Sequence, residues 1–462
     1  MKRTVLLLLA LCACICARAQ KSEIIKTGYN FGPCPAVAFD ADKGFQYGAL
    51  LNIYNYGDGS AYPNYNSKTY VEASFFTKGS QLFQLQYDNK SLIPGVRWSS
   101  AMSTNIDKAM DFYGFNGYES WLNQERLAVG KANKKGAQDP SQYLYTPFYR
   151  ANRVQVLLKT DFIGDITKNF KWEAGYHFFW FKEGAINRDN INKGKPAYNV
   201  FPDSEPTLFE NYRSWGLISD DEADGGKVSS LRLGFLYDSR DKEGAPTRGI
   251  WAEGHICAAP GWLGTDNPFA RYSLTMRQYF PIVDHDILTF AYRLNYEGTF
   301  GDNAPYYVLP YITVMGENCD KDGMGGYRTV RGILRDRVIG LDMATYTAEL
   351  RWRFTSFKMG NQNIAFGLSG FSDGTMVTKD RDMTFKGSPE VAASYKEYMS
   401  KQPKQKDIPH ITVGAGLRFI MNQNFIIAFE YGTPTTHFLP KTNPLYNQDG
   451  TGAFYINSGF LF

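Results

Sequence analysis

Residues 345–354 of this chain, Thr-Tyr-Thr-Ala-Glu-Leu-Arg-Trp-Arg-Phe, alternate between polar and apolar side chains. Side chains of a β-strand point in turn to its two faces, so this strand has one apolar face and one charged face. Residues 288–300 alternate in the same way, and a long glycine-rich loop connects the two segments. A soluble β-sandwich would turn the apolar faces inward, whereas a membrane β-barrel turns them outward to lipid. This pattern alone leaves both architectures open.

The amino terminus predicts export. Two basic residues (2–3) precede an apolar run over residues 5–15, and Ala-Arg-Ala at residues 17–19 provides a cleavage site between small residues. The run is too short for a membrane-spanning helix. We therefore expect a signal peptide over residues 1–19. Leu-Cys-Ala-Cys at residues 11–14 loosely resembles a lipoprotein acylation site, which leaves a lipid-anchored form as the alternative.

Composition favours membrane strands over membrane helices. Aromatic residues make up 16% of the chain, with 31 Tyr and 33 Phe, while the mean hydropathy is −0.37. Beyond the signal peptide the chain has no apolar stretch of the ~20 residues that a spanning helix needs. Abundant aromatic residues suit barrel strands that are bordered by aromatic girdles. The net charge of +4 is too small to indicate a nucleic-acid partner.

No feature of the sequence predicts a cofactor, a metal site or catalysis. Only Cys34, Cys257 and Cys319 follow the signal peptide, at spacings that indicate neither a disulfide framework nor a metal site. Residues 370–374 match the Gly-x-Ser-x-Gly pattern of a hydrolase nucleophile. That mechanism needs a strand–turn–helix, however, and this pattern lies within strand-like sequence. We therefore expect a protein that is not an enzyme.

Alternating segments predict sixteen strands. Long connections alternate with short ones over most of the chain, which is typical of a 16-stranded antiparallel transmembrane β-barrel with long outer loops. We expect a short periplasmic segment over residues 20–34 and the barrel over residues 35–462. A soluble protein with several sheets is the alternative. The predicted strands are 35–40, 45–56, 67–78, 80–90, 93–104, 148–163, 169–182, 228–239, 249–259, 269–281, 286–300, 340–355, 363–376, 409–421, 424–433 and 452–462.

The chain ends on an aromatic residue. Phe460 and Phe462 share one face of the last predicted strand, and Tyr455 precedes them. This ending resembles the carboxy-terminal signal by which outer-membrane barrels are recognised for insertion. The alternative is an ordinary final strand.

Four motifs in the second half of the chain follow one another in the order typical of a known family. They are Asp238, Arg240, Asp241 and Gly249 around a strand–turn–strand, Val330, Arg331 and Gly332 in a loop, Ala348-Glu349-Leu350 on the twelfth strand, and Phe371-Ser372-Asp373-Gly374 on the thirteenth. With them the chain resembles the BamA/TamA (bacterial surface antigen) superfamily of outer-membrane barrels. The resemblance covers residues 228–462 by motif and the first half by topology.

The resemblance implies that the sixth extracellular loop folds back into the barrel. It also implies that Arg331 of this loop pairs with Glu349 and Asp373 in a charge-assisted lock. Alternation along the two strands independently places both carboxylates on the lumen side. The alternative is that these are three ordinary lumen charges. Ile333 departs from the family, in which an aromatic residue usually follows Val-Arg-Gly.

The resemblance also implies a function in the outer membrane of a Gram-negative bacterium. We expect the protein to assist insertion or export of proteins or lipids there. Its partners would be the lipid bilayer, client outer-membrane proteins, and periplasmic or surface proteins. Family members usually carry periplasmic repeat domains that bind clients by strand addition, and this sequence has no room for one before residue 35. A gated or plugged channel and a structural scaffold of a surface complex remain alternatives.

Overall fold

The structure is a computed structural model that describes residues 24–40, 44–127, 144–283, 286–313, 315–316, 323–326, 328–402, 405–423 and 425–458. Within these residues sixteen strands form one sheet, in which each strand pairs with the next along the chain. Each of these strand pairs is antiparallel, from β1 with β2 to β15 with β16. This arrangement confirms the predicted all-β class and the predicted strand number.

The strands have the following bounds: β1 (Tyr29–Asp40), β2 (Gly44–Asn55), β3 (Ser67–Phe76), β4 (Gln81–Ile93), β5 (Val96–Asp111), β6 (Arg150–Asp165), β7 (Phe170–Gly184), β8 (Gly225–Asp238), β9 (Gly249–Ala259), β10 (Phe269–Val283), β11 (Leu288–Phe300), β12 (Asp342–Met359), β13 (Gln362–Lys379), β14 (His410–Met421), β15 (Phe425–Pro434) and β16 (Ala453–Ser458). Short helices lie in the long connections: α1 (Arg188–Asn192), α2 (Leu208–Ser214) and α3 (Ala392–Lys401).

The sheet is apolar outside and charged inside. On β8, Leu233 and Phe235 are 66% and 56% exposed, whereas Arg232 of the same strand is 3% exposed. A soluble sandwich would show the reverse, so this distribution favours the membrane barrel. Among the described residues, no helix is long and apolar enough to cross a bilayer.

The two ends of the sheet lie close together. No hydrogen-bonded ladder joins β1 to β16 in the part of the chain that the structure describes. Nevertheless, a methyl group placed on Gly32 of β1 would lie 3.1 Å from the ring of Phe425 on β15. The amide of Ile24, ahead of β1, also donates a 2.9 Å hydrogen bond to Asn363 of β13. The sheet therefore curls round on itself, and among the described residues no strand pairs with the outer edge of β1.

The predicted start of the first strand is wrong. β1 begins at Tyr29 rather than Pro35, so residues 29–34 belong to the sheet and not to a periplasmic segment. Pro33 and Pro35 both lie inside β1, in continuous register with β2. Proline is tolerated within an edge strand when its nitrogen faces the unpaired side, which explains why the sequence suggested too late a start.

Long connections and short turns lie at opposite ends of the strands. The long connections are residues 112–149, 185–224, 301–341, 380–409 and 435–452, whereas β6–β7 and β12–β13 are joined by residues 166–169 and 360–361. Four of the long connections share an aromatic core, which we call the cap. Its buried members include Phe112, Phe115, Phe209, Tyr212, Trp215, Tyr306 and Tyr307, with Tyr398 of α3 packed against them.

Candidate functional site: the Arg331 cluster

Arg331 is fully buried although it lies in a loop. It belongs to the connection 301–341 and reaches the charged face of β13. Its Nε donates to Oδ2 of Asp373 at 2.8 Å and its Nη2 donates to Oδ1 at 3.0 Å, which makes a bidentate pair. The backbone amide of Arg331 also donates to Asp373, at 3.0 Å. Such paired, charge-assisted bonds fix both the position and the orientation of the guanidinium.

Two further carboxylates complete the surroundings of Arg331. Its Nη2 lies 3.4 Å from Glu349 on β12, and its Nη1 lies 2.6 Å from Glu430 on β15. The guanidinium also lies 3.4 Å from the ring centroid of Phe371, in a cation–π contact. The structure thus brings together the three residues named from the sequence and adds Glu430 and Phe371.

Two other arginines balance the charges of these carboxylates. Arg418 of β14 pairs with Glu430 at 2.9 Å and also with Glu349. Arg351 pairs with Glu349 at 3.2 Å. The Arg331 cluster therefore has three guanidinium groups and three carboxylates. Burial alone would lower the pKa of Arg331, but Asp373, Glu349 and Glu430 raise it above its ordinary value, so the side chain stays charged.

The backbone next to Arg331 requires glycine. Gly332 has φ = 99°, and a Cβ there would lie 2.6 Å from the carbonyl carbon of Gly432 on β15. Its amide donates a 2.9 Å hydrogen bond to the hydroxyl of Tyr455 on β16. Val330 and Ile333, which flank Arg331 and Gly332 in the sequence, are buried. Close approach of two backbones therefore holds the loop tip against the last two strands.

Of the three residues predicted as a carboxy-terminal signal, the structure describes one. Tyr455 lies on β16 and contacts the loop tip, a role that the sequence did not predict. Phe460 and Phe462 lie outside the described residues.

The strand–turn–strand motif lies at the short-turn end of the sheet. Arg240 donates two hydrogen bonds to the carboxylate of Asp238, at 2.9 and 2.8 Å. Asp241 accepts from the amide and the hydroxyl of Thr247, at 2.9 and 2.7 Å. Gly249, at the start of β9, has φ = 101°. The motif therefore braces its own connection rather than joining the Arg331 cluster.

The Gly-x-Ser-x-Gly pattern lies within β13, as the sequence indicated. The hydroxyl of Ser372 lies 3.0 Å from that of Tyr346 on the neighbouring strand. No group of three or more His, Cys, Asp or Glu side chains that could hold a metal occurs among the described residues.

Comparison with models of known protein families identifies the superfamily of the chain. The model of the Omp85 superfamily domain matches residues 113–462. The chain belongs to the Omp85 superfamily. This finding confirms the membership predicted from the four motifs, and it extends the match well ahead of residue 228, where the motifs begin. Omp85 membership points to a bacterial outer membrane.

The solved structures that the chain resembles are distant from it in sequence. BamA of Haemophilus ducreyi lacking POTRA domains 1–3 is 14% identical, with 94% of this chain and 70% of that chain covered, at a TM-score of 0.49. CdiB of Escherichia coli is 11% identical, with 88% and 58% covered, at a TM-score of 0.48. No curated protein matches the chain.

Proposed function

We propose that this Omp85 barrel inserts proteins into the outer membrane by offering to a client strand the edge of β1 that no described strand pairs with. The observation that carries the proposal is the seam, by which we mean the place where the first and last strands of the sheet come together. β1 lies against Phe425 of β15, yet no described ladder closes the sheet. An unpaired edge presents a row of backbone donors and acceptors, to which an extended segment adds as a further strand. The long connections would face the cell exterior and the short turns the periplasm.

The cap favours a lateral route for the client, between the two ends of the sheet rather than along the lumen. Its aromatic side chains come from connections that start on well-separated strands, and they pack into one buried cluster at the long-loop end. A polypeptide that passed along the lumen to the exterior would have to disrupt this core, which costs far more than separating two unpaired edges.

We further propose that the connection 301–341 folds into the lumen as a plug. Its contacts reach strands on several sides of the sheet. The hydroxyl of Tyr311 accepts a 2.7 Å hydrogen bond from Arg153 of β6, and the amide of Met315 donates to Glu253 of β9 at 3.1 Å. Arg331 meanwhile binds β12, β13 and β15.

A reversible crosslink across the seam tests the proposal. Cysteines replace Gly32 and Phe425 in a chain whose Cys34, Cys257 and Cys319 are serine. A matched control pair places cysteines at Gly32 and Asn52, which face each other on β1 and β2 with Asn52 Cβ 3.7 Å from a Cβ on Gly32. Both pairs share one substitution, but only the first joins the two ends of the sheet.

Cells that depend on each variant are assayed for folded outer-membrane proteins, with and without reductant. We expect the seam disulfide to deplete these proteins and reductant to restore them, while the control disulfide has no effect. Normal levels with the seam fully oxidised would exclude insertion through this edge.

A gated channel is the second candidate function, and unpartnered polar atoms favour it. Among the described residues, both carboxylate oxygens of Glu173 and Oε2 of Glu253 are buried without a hydrogen-bond partner. Buried polar groups of this kind are normally satisfied by water, so the charged face supports a hydrated lumen. Steady, large conductance in a planar bilayer would favour the channel over the insertase.

A further inference from the structure

The connection between β8 and β9, residues 239–248, is braced by side-chain pairs at its base. We call this connection the strap. The pairs Arg240–Asp238 and Thr247–Asp241 close it at its base. The two residues at its tip, Lys242 and Glu243, are adjacent and opposite in charge.

Glu243 reaches the β4–β5 hairpin. Its carboxylate lies 2.6 Å from Nζ of Lys90 on β4 and 3.5 Å from Nη1 of Arg97 on β5. Both cations are held in place by other groups: Lys90 lies 3.9 Å from the ring centroid of Tyr65, and Arg97 pairs with Asp88 at 2.7 Å. Burial alone would raise the pKa of Glu243, but Lys90 and Arg97 lower it, so the carboxylate stays charged.

Lys242 reaches the opposite way. It pairs with Asp286, in the turn between β10 and β11. Asp286 also accepts a 3.0 Å hydrogen bond from Thr247 of the strap and lies 3.5 Å from Arg353 on β12. Two consecutive residues therefore tie the strap to β4–β5 on one side and to β10–β12 on the other.

The strap lies next to the Arg331 cluster. A cavity of about 60 Å³ is lined by Lys242 and Thr247 of the strap and by Thr289 of β11. Arg351 and Arg418, which pair with Glu349 in the Arg331 cluster, line the same cavity. The strap thus covers the cluster from the short-turn end.

We propose that the strap is a lid on the periplasmic mouth of the lumen, closed by the ion pairs of Lys242 and Glu243. The lid would shield the Arg331 cluster from periplasmic water and would open when these pairs separate. This inference does not depend on the insertase, because a plugged channel would need the same closure. The strand–turn–strand motif then has a role, because it supports the strap whose ion pairs on two sides hold the lid closed.

Thiol labelling beneath the lid tests this proposal. Thr289→Cys is placed in a chain whose native cysteines are serine, since Thr289 is buried and lines the cavity. The purified full-length protein is treated with a charged thiosulfonate reagent in detergent. The test variant adds Glu243→Gln. The matched control adds Glu397→Gln, which removes the same charge from an exposed pair with Lys401 on α3.

We expect Glu243→Gln to raise the labelling rate at least about tenfold, which corresponds to ~1.4 kcal/mol in the opening equilibrium. Glu397→Gln should leave the rate unchanged. Salt should also raise the rate in the parent variant, because ions screen partly exposed pairs. This salt series decides the question if Glu243→Gln fails to fold. Equal rates in the three proteins, or the same increase in both glutamine variants, would overturn the lid.

Discussion

At the scale of single residues, Arg331 connects a loop to three strands through ion pairs and hydrogen bonds. Arg331→Ala leaves three buried carboxylates with two arginines. Removal of one partner from a buried ion network typically costs about 3–5 kcal/mol. We expect loss of heat-modifiable migration on unboiled gels, or protease cleavage within residues 301–341.

Arg331→Lys is the matched variant for this prediction. It keeps the charge but loses the bidentate geometry with Asp373, so an intermediate effect is expected. Wild-type migration and protease resistance in Arg331→Ala would show that the cluster does not hold the loop.

Gly332 gives a second prediction at this scale. Gly332→Ala puts a Cβ 2.6 Å from the backbone of Gly432 at φ = 99°, so the loop tip must move. We expect a loss of about 1–3 kcal/mol, measured as a lower melting temperature by circular dichroism. Gly370→Ala is the control, because a Cβ on Gly370 of β13 meets nothing within 4 Å. Equal melting temperatures for the two variants would contradict the close approach at Gly332.

The sequence could predict only part of the Arg331 cluster. Glu349 and Asp373 follow from alternation together with the family resemblance, and the structure places both at Arg331. Glu430 also lies on the charged face by alternation, yet nothing in the sequence says that the loop reaches as far as β15. That contact depends on the path of the loop through space. Strand periodicity carries no information about such a path.

At the scale of elements, strands were predictable because alternation continues along each of them. The structure extends β5 to Asp111, beyond the predicted end at residue 104. A register shift between Asp107 and Met110 lets β5 continue its pairing with β6 there. Bulges of this kind break the period of two in the sequence while the ladder goes on. The start of β1 was predicted too late for a related reason: prolines argue against a strand in the sequence, but an edge strand tolerates them.

The loop as an element gives a third prediction. Deletion of residues 323–336 removes Arg331 together with the segment that contacts β11 and β15 through Arg293 and Gly432. We expect small, irregular currents from the intact protein in planar bilayers and a larger, steady pore from the deletion variant. Identical currents from both proteins would argue against a plug.

At the scale of the whole molecule, the long connections act as one unit. Arg337 is fully buried and donates to the carbonyl oxygens of Gln448, Gly117 and Ser120, at 2.8, 2.9 and 2.9 Å. His410, at the start of β14, pairs with Asp449 of another connection at 2.5 Å. Loops that are far apart in sequence therefore support one another across the cap.

Loosening this unit gives a fourth prediction. Arg337→Ala leaves three buried carbonyl groups without their donor, at a typical cost of about 1–3 kcal/mol each. We expect new protease cleavage within residues 112–149 or 435–452 on intact cells. Lys401→Ala is the control, because Lys401 forms an exposed pair with Glu397 that contributes little. Cleavage that is equal in both variants would show that Arg337 does not hold the loops together.

Pro33 and Pro35 have a consequence for how long a client strand stays bound. They are two residues apart in an edge strand, so their nitrogens face the same side, away from β2. A strand that adds to β1 must do without two hydrogen bonds near the middle of the new ladder. At about 1 kcal/mol for each bond, dissociation is faster by roughly 30-fold than from an edge with every donor present. Under the insertase proposal, β1 is an edge that captures a strand and then releases it, which favours turnover over tight binding.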